Sequence, residues 1–274
     1  MSTALTTPTT GSRNAVAAPA LTQSTSMLSD VFTVFSRELR PVLRDPFSVV
    51  FSMIQPLVFL GLFGPLLSGF PGTGTGSALQ WFVPGIIVMS CLFSGSFTGS
   101  NLLFELQTGS HERMLVTPLR RSALLIGRAL KEIVPMIMQA VIIVAVCVPF
   151  GFELHVAGVL VALVILAVLA IGIGSLSYTL ALASKNQDWL FWTVQQTLLF
   201  PALLLAGILL PVDDGPGWLR ALAQANPLSY VVDATRVLFS GEIASVTVVQ
   251  GLAAAAAVAA VGLFTGIRAM RRSS

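Results

Sequence analysis

The side chains of this 274-residue sequence that could do chemistry are few, and their spacing argues against most of it. His111-Glu112-Arg113-Met114-Leu115 begins like a zinc-binding helix, but Leu115 stands where the second histidine of such a helix must be. Cys91 and Cys147 both sit in apolar runs, too few for a disulfide framework or a cysteine metal site. Ser94 and Ser96 lack the Gly-x-Ser-x-Gly turn that exposes a nucleophile, and neither histidine lies where it could serve them as a base. No Gly-x-x-x-x-Gly-Lys-Ser/Thr loop is present to cradle the phosphates of ATP. The sequence therefore predicts neither catalysis nor a bound cofactor or metal.

The elements that carry these residues are overwhelmingly apolar. Charged residues are 10% of the chain and apolar types 55%, with 15 Lys and Arg against 12 Asp and Glu. An ordinary soluble domain is about 25% charged, so too few charges exist here to cover a water-facing surface. That excludes a soluble enzyme, a nucleic-acid binder and a disordered chain, and leaves an all-α polytopic membrane protein. Residues 1–27, rich in Ser, Thr, Ala and Pro, read as a disordered tail. Residues 28–272 read as one membrane domain.

Six stretches reach the ~20 residues that a helix needs to cross hydrocarbon, with no Asp, Glu, Lys, Arg or His in any of them: 47–68, 80–104, 133–152, 156–184, 189–212 and 243–267. Backbone groups in lipid must pair internally, so each is expected to be a helix. With the N-terminus in the cytoplasm, thirteen of the fifteen basic residues fall inside and only Arg220 and Arg236 outside. Both termini are then cytoplasmic. Leu28 to Arg44 places Leu28, Val31, Phe32, Phe35 and Leu39 at helical spacing, with Arg37, Glu38, Arg40 and Arg44 largely opposite. That is an amphipathic helix at a membrane surface, with a bend expected at Pro41. Residues 218–239 carry Arg220, Asp233 and Arg236 and are interrupted at Asn226-Pro227. A membrane span there would bury three charges at about 2.5–3.5 kcal/mol each. Two short outer or re-entrant helices fit better, with Asp233 and Arg236 three apart and able to pair.

Inside the spans, Gly95-x-x-x-Gly99 has the spacing of close helix packing. Phe93 and Phe97 between the small residues, and Gln195 and Gln196 in the fifth span, are either packing residues or the lining of a path. Pro56, Pro84, Pro135, Pro149 and Pro201 mark expected kinks. Proton- or ion-coupled carriers bury an ionisable side chain for coupling. Apart from Tyr and Cys none is present in the six stretches, which points to an energy source outside this chain.

The longest interior loop holds the most specific pattern. Glu105-x-x-x-Gly109-x-x-Glu112-Arg113-x-Leu115-Val116-Thr117-Pro118-Leu119-Arg120-Arg121 is followed by Leu124-x-x-Gly127-Arg128-Ala129-Leu130. Its apolar patch, Met114 to Val116, sits among charges, as a docking surface does. This loop, the run Pro211–Leu219 and the stretch Asn226–Glu242 resemble the type-2 ABC transporter permeases, in order and spacing over nearly the whole chain after residue 27. The antibiotic- and drug-resistance branch is the one most resembled.

The resemblance implies a permease without its own ATPase. A second permease chain pairs with it, as a homo- or heterodimer, and two ATP-binding subunits, which hold ATP and Mg, dock beneath. The coupling residues would be Glu105, Gly109, Glu112, Arg113, Met114, Leu115, Val116, Pro118 and Arg120. Spans two and five would line the path, with Phe93, Phe97, Gln195 and Gln196 as candidates. The outer segment would carry Asn226, Pro227, Asp233 and Arg236. The expected function is outward movement of hydrophobic drugs or antibiotics across a bacterial plasma membrane, with membrane lipid as surroundings and no role for nucleic acid. Lipid-linked or polysaccharide cargo would keep the family, whereas a secondary transporter is opposed by the uncharged spans.

Overall fold

The computed structural model describes residues 27–67, 78–108, 121–184, 187–209, 212 and 215–272. In chain order the helices are α1 (Met27–Arg44), α2 (Pro46–Ser52), α3 (Ile54–Leu67), α4 (Ala78–Gln107), α5 (Arg121–Lys131), α6 (Ile133–Cys147), α7 (Val156–Ala183), α8 (Asp188–Leu205), α9 (Gly217–Ala225), α10 (Pro227–Phe239) and α11 (Val246–Arg272). A 3-10 turn, Val148–Phe150, ends α6. Among the described residues there is no strand.

Four rods are long and apolar enough to cross a membrane: Ala78–Gln107, Ser122–Phe150, Val156–Ala183 and Val246–Met270. Their outward faces keep large apolar side chains exposed, such as Val156, Leu160 and Val164 on α7 and Val261 and Phe264 on α11. At helical spacing these are continuous apolar stripes, which water would penalise and hydrocarbon accommodates. The protein is a polytopic helical membrane protein.

Prolines set where the rods break. Pro56 has no N–H to give the Ser52 carbonyl, and the expected first span 47–68 is divided into α2 and α3 at Met53, whose N–H turns back to Val50 O (3.0 Å). The same device recurs at Pro135. The helix tightens at Glu132, whose N–H bonds to Ala129 O (3.2 Å), so α5 and α6 join there as one jointed rod instead of a separate surface helix and span. The fifth span stops earlier than residue 212. Helix α8 ends at Leu205, and Gly207 takes a left-handed φ of 68° that turns the chain away.

Helix α4 runs through the middle of the core. At its first turn the Gln80 amide donates to Glu153 O (3.1 Å) and Phe239 O (2.7 Å), while Glu153 N donates to Gln80 Oε1 (3.1 Å). These bonds tie three chain segments at one end of the bundle. At the other end, Gln107 bonds to Asp188 at the start of α8. Close packing around α7 needs glycine. A Cβ on Gly99 would meet Ser177 O at 2.5 Å and Phe191 at 2.8 Å, and one on Gly95 would meet Ile173 at 2.9 Å. The Gly95/Gly99 pair is thus a packing surface of α4 on α7, as its spacing suggested. Gly172 lies against the backbone of Ala259 and Gly262 against Gly172 O, so α7 and α11 approach backbone to backbone.

Gly99→Ala is expected to lower the thermal midpoint of the detergent-solubilised protein, by an overpacking cost of about 1–3 kcal/mol. Gly61→Ala, where a Cβ meets nothing within 4 Å, should be neutral or slightly stabilising. Tryptophan fluorescence melts of the two variants against wild type check the difference.

Candidate functional site

The α1 end of the bundle is organised by one buried cation. Leu124, Leu125 and Arg128 share one face of α5, and that face is buried: Leu124 is 3% exposed, Leu125 1% and Arg128 4%. That face lies with Leu102 of α4, Tyr178 of α7 and Met270 of α11, while on another side of α5 Gly127 meets α1, where a Cβ would strike Val34 at 2.8 Å and Val31 O at 2.9 Å. The Arg128 guanidinium reaches Glu105 Oε2 at 2.5 Å and Glu38 Oε1 at 3.4 Å. It also lies 5.7 Å from the Tyr178 ring centroid of α7. One side chain thereby joins α1, the last turn of α4, α5 and α7. Glu105 and Arg128 bracket residues 109–120 on their two sides.

Two residues make contacts the sequence did not announce. Glu105, expected among the coupling residues, pairs with Arg128. Glu38, expected on the polar face of α1, is turned inward to the same cation, while Arg37, Arg40 and Arg44 stay exposed. Gly109, Glu112, Arg113, Met114, Leu115, Val116, Pro118 and Arg120 lie outside the described residues.

Next to the node is a cavity of about 470 Å³ between α1, α2, α4 and α6. Lys131, Glu132, Gln139, Thr98, Asn101 and Phe97 are among its lining residues. Glu132, at the Pro135 joint, is 4% exposed, and its Oε1 is 3.5 Å from the Lys131 ammonium. Gln139 is 2% exposed and donates to Ser52 Oγ at 2.8 Å. Glu132 was missed in the sequence because it falls one residue before an uncharged stretch. The signal that was available is spacing: Leu124, Leu125, Arg128, Lys131 and Glu132 follow the helical period of a buried face.

The expected path residues separate. Phe93 is 8% exposed and packs in the main core. Phe97 is half-exposed and meets Trp192 of α8 edge-on, with centroids 6.2 Å apart. Gln195 is buried and Gln196 exposed. Trp189, Trp192 and Leu198 extend the exposed apolar face of α8.

At the opposite end the outer segment forms the two short helices expected, α9 and α10, separated at Asn226-Pro227. Asn226 caps α10 by accepting from Leu228 N (3.1 Å) and donates to Ala202 O (2.7 Å), fastening α10 to the end of α8. Helix α10 packs into the bundle: Val231, Val232, Ala234 and Leu238 are fully buried. Asp233 and Arg236 pair as their spacing implied, at 3.5 Å. Arg236 does more than pair. Its Nε donates to Trp81 O (3.2 Å), its Nη2 to Gly207 O (2.7 Å), and its guanidinium stacks 3.9 Å from the Trp81 ring centroid. It locks α10 to the first turn of α4 and to the turn after α8, beside an open cavity of about 510 Å³.

A buried ion node thus organises one end of the bundle and a hydrogen-bonded arginine clamp the other. Among the described residues there is no group of acidic, cysteine or histidine side chains spaced to hold a metal.

Comparison with known proteins agrees with this architecture. Residues 29–240 match the ABC-2 type transporter family. The daunorubicin resistance ABC transporter permease protein DrrB1 of Streptomyces coeruleorubidus is 25% identical over 239 residues, covering 86% of this chain and 84% of that one. The ycf38 protein of Cyanophora paradoxa, whose name gives it a transport permease role, is 32% identical over 219 residues, covering 78% of this chain and 75% of that one.

Arg128→Leu and Glu105→Gln are each expected to destabilise the protein, and less than additively when combined. A double-mutant cycle on thermal stability in detergent should return a coupling of about 0.5–3 kcal/mol. A coupling of zero would mean that the two side chains act independently.

Proposed function

The chain belongs to the ABC-2 type transporter family, and from that premise we propose that it is the membrane permease of an ATP-driven exporter of hydrophobic drugs or antibiotics. ATP and Mg bind and react on separate ATP-binding subunits. The observation that carries the reading is the match over residues 29–240, joined to a relative named for daunorubicin resistance that aligns along most of both chains. The apolar, largely uncharged rods support a route for hydrophobic cargo. The absence of a phosphate-cradling loop from the sequence supports an external motor.

In this reading the polypeptide crosses a bacterial plasma membrane six times, with α2–α3 and α8 as the first and fifth passes. Helix α1 lies on the cytoplasmic surface, and both termini are cytoplasmic, as the distribution of Lys and Arg favours. Residues 109–120 meet the ATP-binding subunits. Glu112 and Arg113 hold the register of docking, and Met114, Leu115 and Val116 supply apolar contact. A second permease chain packs on the exposed apolar side of α8 and α4, around Trp189, Trp192 and Phe97.

The force path follows from the contacts. Closure of the ATP-binding subunits displaces the loop. Glu105 and Arg128 stand at its two roots, so the displacement reaches α1 through Glu38 and α8 through Gln107 and Asp188. A packed bundle answers by changing between discrete states. To move an inward-facing population from 1:99 to 99:1 outward, ATP must favour the outward state by about 5.5 kcal/mol.

Glu112→Ala and Leu115→Asp are expected to cut ATP-driven daunorubicin movement in proteoliposomes containing the ATP-binding partner by an order of magnitude or more. Both variants should insert and melt like wild type, because the changes fall on the docking loop. Wild-type transport by both would contradict the assignment.

A further inference from the structure

Two arginines join helices at the two ends of α4, and they differ in what parting them would leave behind. Arg128 is matched by carboxylates on other helices, Glu38 on α1 and Glu105 on α4. It is 4% exposed, and the space it borders is only about 10 Å³. Separating it would strand opposite charges where water has little room to reach them, which is the costly way to break a buried pair.

Arg236 is built the other way. Its carboxylate partner, Asp233, stands three residues back on the same helix, so that pair travels with α10. What Arg236 holds on other elements is neutral. Its Nε donates to Trp81 O, its Nη2 to Gly207 O, and its plane lies over the Trp81 ring. The guanidinium is a rigid planar fork, so one group spans the first turn of α4 and the turn after α8. Arg236, Trp81 and Gly207 all line the open cavity of about 510 Å³. Water there can take up the donors and the carbonyls when the contacts part, an exchange of hydrogen bonds that leaves no group stranded.

The seam that would part is also defined. Asn226 donates to Ala202 O (2.7 Å) and Ser229 Oγ to Leu205 O (3.2 Å), so α10 stays fastened to α8 without Arg236. Across from this pair lies α4. Besides Arg236, the contacts over that seam include the bond from Gln80 to Phe239 O and the packing of Ile208 on Gly85, where a Cβ would meet it at 3.2 Å.

We propose that Arg236 is a releasable latch, which holds α4 to the α8–α10 pair in the closed arrangement and lets go when this end of the bundle opens. The proposal rests on the permease reading for what drives the release, since α4 and α8 are the second and fifth passes there. Arg128 is then the fixed joint and Arg236 the one that parts.

The test uses the full chain in nanodiscs, with spin labels at the start of α4 and near the end of α8 through Ala78→Cys and Leu204→Cys. Cys91 and Cys147, each 1% exposed, stay unlabelled. Labelled chain is diluted in excess unlabelled chain, so that pulsed electron resonance reads the distance within one chain. The wild type should show one short distance at rest, and a longer population once the ATP-binding partner and a non-hydrolysable ATP analogue with Mg are added. Arg236→Gln should raise the longer population at least threefold without nucleotide. Arg236→Lys keeps the charge but cannot span both carbonyls, and should raise it less. Arg220→Gln, at an exposed arginine of the same cavity, should leave it unchanged. Thermal melts accompany each variant, and if Arg236→Gln melts below the working temperature, Arg236→Lys carries the comparison. Resting distances in the Arg236 variants equal to wild type overturn the latch; if the wild type still lengthens with nucleotide, the permease reading stands. If the Arg236 variants lengthen at rest while the wild type never responds to partner and nucleotide, the latch stands and the permease reading fails.

Discussion

The structure depends on how it houses the Arg128 guanidinium. This side chain is 4% exposed and cannot lose its charge, so it must be matched where it lies. Glu105 and Glu38 supply the match, from the last turn of α4 and from α1. Removing two or three ions from water costs about as much as their attraction returns, and such groups are often replaceable by apolar ones without loss of stability. The node is therefore best understood as fixing position. An amphipathic helix laid on a bundle by apolar contacts alone could slide. A guanidinium held from two directions sets one register of α1 on α5, and with it the separation of the two roots of the 109–120 loop.

The opposite end solves the corresponding problem with a different device. Arg236 is also satisfied, but largely by backbone carbonyls, Trp81 O and Gly207 O, and by the face of Trp81. Gly207 O lies just past the end of α8, where the regular helical ladder leaves carbonyls available, and Trp81 O lies in the first turn of α4. The node and the clamp lie at opposite ends of α4, which links them as one buried rod. That rod is held by close glycine contacts that leave little slack around it.

Much of this was legible in the sequence. Helix α1, α4, α7 and α11 fall within a few residues of the stretches that hydrophobic pattern marks, and the interruption at Asn226-Pro227 follows from proline chemistry and an Asn cap. The Gly95/Gly99 spacing correctly announced close packing. The buried charges were not legible. Hydrophobic periodicity treats a charged residue as a vote for water, yet Arg128 is buried because Glu105 and the half-buried Glu38, distant in the chain, receive it, and Glu132 is buried beside Lys131. The end of α8 was missed for a similar reason: the apolar run continues past Leu205, and only the tertiary contacts of Gly207 and Asn226 show why the helix stops.

At the centre of the account is a permease that transmits work done elsewhere. The most direct measurement places the purified chain in sealed liposomes with daunorubicin and ATP, with and without its ATP-binding partner, and with the proton gradient abolished. The account predicts uphill accumulation only when partner and ATP are both present. Accumulation by the chain alone would contradict it.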